Sequence, residues 1–205
     1  MSRSTSHAGR TSGTTGPRRR ADAERSVARI LEAAVDALAE DQDVSMSEIA
    51  RRAGVVRATI YVHFPAREAL LEAVTERALT EVAGVIATAE PERGEPTAAL
   101  ERVVGATWRT LGRYHALVAI NTGTWTPQQL HQRHARVLGT LTPLIERGQA
   151  AGVFRADVPA GWHLSMLMAL VHAGSAELRA GRISEADGEA AVVATVLGAV
   201  SGGRR

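Results

Sequence analysis

The stretch VSMSEIARRAGVVRATIYVHF, residues 44–64, decides the fold of the amino-terminal part of this chain. Ser45 precedes Glu48 by three residues, the spacing of a capping box, so a helix is predicted to begin at Ser45. Apolar residues then recur at helical spacing as far as Ala53. Gly54 follows, and glycine readily adopts the left-handed conformation that ends a helix. The first half of the stretch therefore predicts a short helix closed by a tight turn.

A second short helix is predicted from about Val56 to Phe64. Ile60 and Phe64 lie four residues apart and are expected to face the interior together. The residues left facing outward are cationic, hydroxylic and aromatic: Arg57, Thr59, Tyr61 and His63. Two short helices joined by a glycine turn, with the second one exposed, have the geometry of a helix-turn-helix. The alternative, a hairpin buried inside an all-α enzyme, does not need such an outward face.

With this motif in place, the chain resembles the TetR family of bacterial transcriptional regulators. Three segments carry the resemblance, in the family's order and at nearly its spacing: ILEAAVDALAE, SMSEIARRAGV and RATIYVHFPAREALLEAV. The resemblance implies an all-α homodimer, whose three amino-terminal helices bind an operator and whose carboxy-terminal helices bind a small effector. The rest of the chain is similar to the family only in length and helical character.

The outward face and the resemblance together predict which residues contact DNA. Arg57 stands where its forked donors reach guanine O6 and N7, and Ala58 is small enough to let the helix approach the bases. Thr59 is expected to contact a thymine methyl group or a phosphate. By resemblance, Tyr61 and His63 hold phosphates and fix the docking register. Two further predicted contacts lie outside this helix, namely Ser47 and Arg67.

Two features near the motif depart from the family pattern. Val56 stands where the family usually has a serine or threonine cap, and loss of such a cap costs about 1 kcal/mol. The loop EDQDV before Ser45 lacks the glycine and the aromatic residue often found there. Arg67 lies in the first turn of the next helix, where a positive charge is unfavourable. A phosphate partner would explain it, and a solvated surface charge is the alternative.

Composition agrees with this interpretation without producing it. A chain of 205 residues is long enough for a DNA-binding head and one effector-binding body. The absence of cysteine excludes disulfides and thiolate zinc sites. No apolar run is long enough for a membrane span, and residues 1–20 contain no signal peptide, so a cytoplasmic protein without membrane association is expected. The net charge of +2 is weak evidence for nucleic acid, and the exclusive use of arginine fits a GC-rich genome as well as phosphate binding.

The predicted organisation has three parts. Residues 1–21 form an arginine-rich arm of mainly Ser, Thr and Gly, which is expected to be disordered. Its run Arg18 to Arg20 either follows the DNA backbone or serves as a solubilising tail. Residues 22–68 form the DNA-binding head, whose first helix runs from about Asp22 to Glu40. Residues 69–205 form a helical body for ligand binding and dimerisation. Its last two helices are the expected dimer interface, with internal core as the alternative.

The body offers few side chains for recognising an effector. Large rings with a polar edge suit a ligand pocket as they suit a core. The candidate pocket residues are Trp108, Tyr114, His115, Asn121, Trp125 and His172. His131 and His134 have a metal-binding spacing, but no carboxylate on their helix completes a site, so no metal is expected. No cofactor motif and no catalytic set emerges, which argues against an enzyme.

These inferences predict a sequence-specific transcriptional regulator, most simply a repressor. It would bind double-stranded DNA at a palindromic operator as a homodimer, because one recognition helix reads too few base pairs to be selective. An unidentified small molecule would release it. Two alternatives belong to other classes: an all-α enzyme, and an architectural DNA-binding protein without an effector.

Overall fold

The computed structural model describes residues 15–201 and, from residue 19 onward, their side chains. These residues form helices and no strand, which confirms the predicted all-α fold. The helices are α1 (Thr15–Glu40), α2 (Met46–Arg52), α3 (Arg57–His63), α4 (Arg67–Thr88), α5 (Pro96–Gly112), α6 (His115–Thr124), α7 (Pro127–Ala150), α8 (Ala160–Arg179) and α9 (Glu185–Val200). No helix in the described part of the chain is long and apolar enough to cross a membrane.

The first helix begins earlier than predicted. It starts at Thr15 rather than about Asp22, so residues 15–21 of the predicted disordered arm are helical. Arginine and alanine favour helix, and a proline is tolerated in a first turn. Residues 1–14 are rich in Ser, Thr and Gly, and the composition of residues 1–21 as a whole therefore predicted disorder for residues 15–21 as well. Residues 1–14 of the predicted arm lie outside the described residues.

The head is built from α1, α2 and α3 around a shared apolar core. Ile30, Ile49 and Ile60, one from each helix, are fully buried there. Residues of α4 continue the same core, and so do Tyr114 and Leu117 at the start of α6. The head is therefore packed directly against two helices of the body, rather than joined to it by a linker.

The body has a separate core centred on Trp108. The indole packs against Gly174 of α8 and Gly188 of α9, and a Cβ atom added at Gly188 would lie 2.4 Å from Trp108 Cζ2. The indole nitrogen donates a hydrogen bond of 3.1 Å to the carbonyl of Glu185. Glycines on both helices thus make room for one large ring, which holds α5, α8 and α9 together.

Candidate nucleic-acid interface and ligand cavity

The turn between α2 and α3 has the predicted geometry, with one difference at its start. Ser45 Oγ accepts a hydrogen bond of 3.2 Å from the amide of Glu48. The carboxylate of Glu48 does not return to Ser45, so the capping box is only half formed. It binds Arg51 and Arg52 instead, and hydrogen bonds from these two guanidinium groups hold the pKa of Glu48 at about 2. Gly54 ends α2 with φ of +65°.

The exposed face of α3 differs from the predicted one. Val62 is 80% exposed, whereas Thr59 and His63 are half-buried. Successive residues turn by about 100° in a helix, so Val62 lies about 200° around from the buried Ile60 and points straight outward. The sequence analysis missed Val62 because it selected polar and aromatic side chains. Angular distance from Ile60 alone would have identified it, together with the exposed Ala58 one turn earlier.

Arg57 is the exposed cation of this face. Its guanidinium carbon lies 5.6 Å from the centroid of the Tyr61 ring, a distance at which the two groups attract. No carboxylate within residues 19–201 pairs with Arg57. Arg52, by contrast, is bound to both Glu40 and Glu48. Arg57 is therefore held in place by stacking while its hydrogen-bond donors stay available. Val56 caps α3 without a side-chain hydrogen bond, as expected.

The predicted contacts outside α3 behave differently from each other. Ser47 is half-buried in the first turn of α2. Arg67 folds back onto the protein, and its guanidinium donates to the carbonyl oxygens of Gln42 and Val44. These carbonyls take the place of the phosphate that the sequence analysis invoked for an arginine at a helix start. Arg67 thereby fixes the loop before α2 to the first turn of α4.

A cavity of about 80 Å³ lies in the body between α4, α5, α6, α7 and α8. Three predicted pocket residues line it: Tyr114, Asn121 and His172. Three others do not line it: Trp108, His115 and Trp125. The sequence analysis missed the polar lining residues Thr75, Thr107 and His134. Hydroxyl groups on apolar helix faces carried no signal in the sequence, and His134 had been weighed only as a metal ligand.

The three misassigned residues have other partners. Trp108 fills the body core described above, so it has no surface left for a ligand. Trp125 follows the end of α6 and lies under Arg133, whose guanidinium carbon is 4.1 Å from the ring centroid. His115 lines a neighbouring surface groove together with Arg179. Trp108 and Trp125 thus have partners that local sequence spacing does not reveal, whereas His115 Nδ1 lies 2.8 Å from the carbonyl of Gly112, three residues earlier.

The hydroxyl and amide groups of the cavity are only partly satisfied by the protein. Asn121 Nδ2 donates a hydrogen bond of 3.1 Å to Thr75 Oγ1, which donates in turn to the carbonyl of Leu71 at 2.8 Å. Thr107 Oγ1 is buried and has no hydrogen-bond partner among the described residues. Buried polar atoms are normally paired, so an unpaired hydroxyl on a cavity wall points to a missing ligand or water.

Two histidines meet on the far wall of the cavity. The rings of His134 and His172 contact each other edge to face, with centroids 5.4 Å apart. Burial lowers the pKa of His134, and burial together with the neighbouring His134 lowers the pKa of His172 to about 4. Both imidazoles are therefore uncharged at neutral pH.

A chain of hydrogen-bonded groups connects the cavity with the head. Tyr114 OH donates a hydrogen bond of 2.7 Å to Glu81, and Glu81 pairs with Arg77 at 3.0 Å. Arg77 also pairs with Glu32 of α1, which accepts a further bond of 2.6 Å from Arg113. Burial and the bond to Glu81 raise the pKa of Tyr114 to about 12. The hydrogen bond from Arg113 is the main cause of a lowered pKa at Glu32.

A free arginine on an exposed second helix, a tight glycine turn and a bracing first helix define a DNA-binding regulator of the helix-turn-helix class. The sequence profile described as "Bacterial regulatory proteins, tetR family" matches residues 30–74. The TetR transcription regulatory protein from Mycobacterium vanbaalenii is 30% identical, and the alignment covers 89% of this chain and 99% of that one with a TM-score of 0.58. The chain belongs to the TetR family, whose members are transcriptional regulators and not enzymes.

Alignments with individual transcriptional regulators cover most of the chain. The transcriptional regulator NfxB from Pseudomonas aeruginosa is 26% identical over 78% of this chain and 86% of its own length. The transcriptional repressor LfrR from Mycolicibacterium smegmatis is 29% identical over 74% of this chain and 78% of its own. The crystal structure of LfrR from Mycobacterium smegmatis in complex with proflavine has the same fold, with a TM-score of 0.70 and 24% identity over 87% of this chain and 98% of that one.

The contacts of Arg67 predict its effect on stability. Lysine keeps the charge but lacks the planar fork that bonds two carbonyls at once. We expect Arg67→Lys to lower the free energy of unfolding by about 1–2 kcal/mol, because a half-buried carbonyl loses its partner. Urea unfolding of the DNA-free protein measures the change. Arg51→Lys is the control, since Arg51 is exposed. If Arg67→Lys leaves the free energy of unfolding unchanged but makes the salt dependence of DNA binding shallower, Arg67 binds a DNA phosphate instead.

The lowered pKa of His172 predicts a pH dependence of stability. The unfolded chain binds a proton at about pH 6.5, whereas folded His172 does so at about 4. Between these values the unfolded state binds more protons, so the free energy of unfolding falls as the pH is lowered from about 6.5 to about 4. His172→Phe should make this decline shallower in urea unfolding at several pH values. His131→Phe, at an exposed position, serves as the control. Equal slopes for wild type and His172→Phe would contradict the assignment.

Proposed function

We propose that this protein is a repressor that binds a palindromic operator as a homodimer and is released when a small molecule enters the body cavity. The observation that carries the proposal is the outward face of α3, where Arg57 is exposed, stacked on Tyr61 and free of carboxylate partners within the described residues. Such a face suits the major groove, which is wide enough to admit one helix. Its work on DNA would place the protein in the cytoplasm.

Each side chain of this face has a contact suited to its chemistry. Arg57 reads guanine through O6 and N7. Ala58 and Val62 lie outermost, and their apolar surfaces suit the methyl group of thymine. Tyr61 and His63 hold phosphates with help from Ser47 and Thr59, which fixes the register of the helix without reading sequence. Val62 is thus a base-facing residue in addition to those expected from the sequence.

The outer surface of α8 and α9 supports a homodimer. Trp162 is 62% exposed near the start of α8, and the exposed Ala169 and Ala173 follow it at helical spacing. On α9 the exposed Ala194 and Gly198 form a similar row. Small residues on two neighbouring helices allow close approach of a second copy. Two copies present two recognition helices to two half-sites, which supplies the selectivity that a single helix lacks.

The position of the cavity supports release by a ligand. Tyr114 lines the cavity, packs in the head core and donates to Glu81. A ligand that moves Tyr114 disturbs Glu81, and through Arg77 it disturbs the contact with Glu32 in the head. Small shifts at an effector site become larger ones when packed elements move together. The relative LfrR has been crystallised with the small molecule proflavine, which supports a ligand-responsive body.

The first test is selection of binding sites from random double-stranded DNA at fixed salt concentration. We expect an enriched inverted repeat. Arg57→Ala should lose the preference for one guanine in each half-site, by about 1–3 kcal/mol. Arg51→Ala is the matched control, because Arg51 pairs with Glu48 away from this face. Binding without any enriched sequence by a folded dimer would favour the architectural alternative.

The second test concerns the connection through Tyr114. For a molecule that raises the melting temperature, we expect wild-type operator affinity to fall by at least about tenfold, a coupling within the usual 1–3 kcal/mol. Tyr114→Phe removes only the hydroxyl that binds Glu81 and should reduce this factor. Thr107→Val removes a different cavity hydroxyl, one without a link to the head, and should preserve it. If both variants couple as the wild type does, the Tyr114–Glu81 bond is not the route.

A further inference from the structure

The lining of the body cavity limits the chemical class of its ligand. This inference rests on the proposed function, because it concerns the molecule that would release the repressor. Among the residues that the structure describes, none that lines the cavity is Asp, Glu, Lys or Arg. Its apolar lining consists of Ala78, Leu79, Val82, Ile86, Leu111, Leu117, Val118, Val137, Leu138, Leu141, Leu167, Met168 and Val171. A ligand of this site therefore buries itself mainly in aliphatic surface.

His134 presents a hydrogen-bond acceptor. Its Nδ1 lies 2.8 Å from the carbonyl of Leu130. A carbonyl only accepts, so Nδ1 carries the proton and donates it. The ring is uncharged, because burial lowers its pKa. In a neutral imidazole with the proton on Nδ1, Nε2 has a free lone pair and accepts hydrogen bonds.

Asn121 presents a second acceptor. Its Nδ2 donates to Thr75, whose own proton is used on the carbonyl of Leu71. The amide oxygen Oδ1 has no donor from the protein among the described residues. The hydroxyl proton of Tyr114 is likewise directed to Glu81 and away from a ligand. Thr107, His172 and the second N–H of Asn121 Nδ2 can donate as well. His134 Nε2 and Asn121 Oδ1 are therefore acceptors on a wall that also offers donors, which suits an uncharged group such as a hydroxyl that both donates and accepts.

A charged ligand fits this wall poorly. A carboxylate would lose its water and meet no cationic side chain, and an ammonium group would meet no free carboxylate. Glu81 accepts a hydrogen bond from the lining residue Tyr114, but Glu81 itself lies outside the lining and already binds Arg77 as well. Bringing Glu81 to a cation would break both of these bonds. An uncharged donor such as a hydroxyl group needs only the acceptors already present.

We propose that the ligand is an uncharged, largely apolar molecule with one hydroxyl or N–H group, which donates to His134 Nε2 or to Asn121 Oδ1. The cavity volume of about 80 Å³ corresponds to roughly three water molecules at about 30 Å³ each, so a single ring with a short alkyl chain would fill it and extend toward its mouth. Its route in lies beside α6 and α8. Val118 and His172 line both the cavity and the surface groove that contains His115 and Arg179.

Four probes with one skeleton test the ligand class by titration calorimetry of the full-length protein at pH 7.5. They are 4-propylphenol, propylbenzene, 4-propylbenzoate and 4-propylbenzylammonium. We expect 4-propylphenol to bind most tightly, at least about tenfold more tightly than either charged probe. Its advantage over propylbenzene should be about three- to tenfold, the contribution of one hydrogen bond.

Variants then assign the acceptors. His134→Phe keeps a ring but removes Nε2, and Asn121→Leu removes Oδ1, so the variant that lacks the acceptor in use should reduce the advantage of 4-propylphenol over propylbenzene. Met168→Leu changes an apolar lining residue and should leave that advantage unchanged. The same preparations are also tested for DNA binding, so that failure here is distinguished from failure of the proposed function.

Four results would overturn the inference. Tighter binding of the ammonium probe would indicate a cationic ligand that recruits Glu81, and tighter binding of the benzoate would require a cation that the lining lacks. An advantage of 4-propylphenol that survives both His134→Phe and Asn121→Leu would remove the two acceptors from the site. No binding by either neutral probe to protein that still binds DNA would reject this ligand class while leaving the DNA-binding function intact.

Discussion

The hydrogen bond between Tyr114 and Glu81 is the interaction on which the two halves of this molecule depend. Tyr114 is only 1% exposed, and its ring belongs to the apolar core of the head. One edge of the same ring lines the body cavity, and its hydroxyl reaches Glu81 in the middle of α4. A buried hydroxyl needs a partner, so the ring cannot move without breaking or replacing this bond. Head core, cavity and ion pairs are thus joined at one side chain.

Helix α4 connects this hydrogen bond to the DNA-binding motif. Its first residue, Arg67, holds the loop before the helix-turn-helix, and Arg77 binds Glu32 of α1. Further along, Val82 and Ile86 line the cavity. One continuous helix therefore touches the DNA-binding motif, the brace of the head and the ligand site. A displacement at the cavity end is expected to move the motif, because α4 is one continuous helix from Arg67 to Thr88.

The sequence predicted those features whose cause is local. The side-chain cap at Ser45, the turn at Gly54 and the uncapped Val56 follow from side chains within one or two helical turns. All three appear in the structure, although the return bond from Glu48 that completes a capping box does not form. Residues whose contacts differ from the predicted ones have partners that are distant in the sequence. Trp108 occupies space left by glycines on α8 and α9, and the contacts of Arg67 lie more than twenty residues earlier in the chain.

Val62 marks a different kind of miss, since the information was local but was not used. Residue type suggested that the polar side chains of α3 point outward, whereas the helical angle from buried Ile60 places Val62 farthest outward. In the body cavity the missing information was not local. Thr75 and Thr107 sit on apolar helix faces, and only the assembly of five helices shows that their hydroxyl groups face a cavity. The type of a side chain alone is therefore a poor guide to whether it contacts a ligand or DNA, because its position in the fold decides what surrounds it.

The distribution of arginine partners explains why a small ligand is expected to be enough for release. In and beside the head, Arg51, Arg52 and Arg77 bind carboxylates, and Arg67 binds backbone carbonyls. Arg57 alone among these five has neither a carboxylate nor a backbone carbonyl as a partner within the described residues, so the helix-turn-helix has few free cationic groups to offer DNA. In the proposed homodimer, each head would rely on simultaneous binding, where the second head acts at a high effective concentration set by the spacing between the two. A change in that spacing would remove the second head's contribution without altering any residue proposed to contact DNA. A ligand therefore needs to shift α4 only slightly, and the Tyr114–Glu81 bond lies where such a shift would begin.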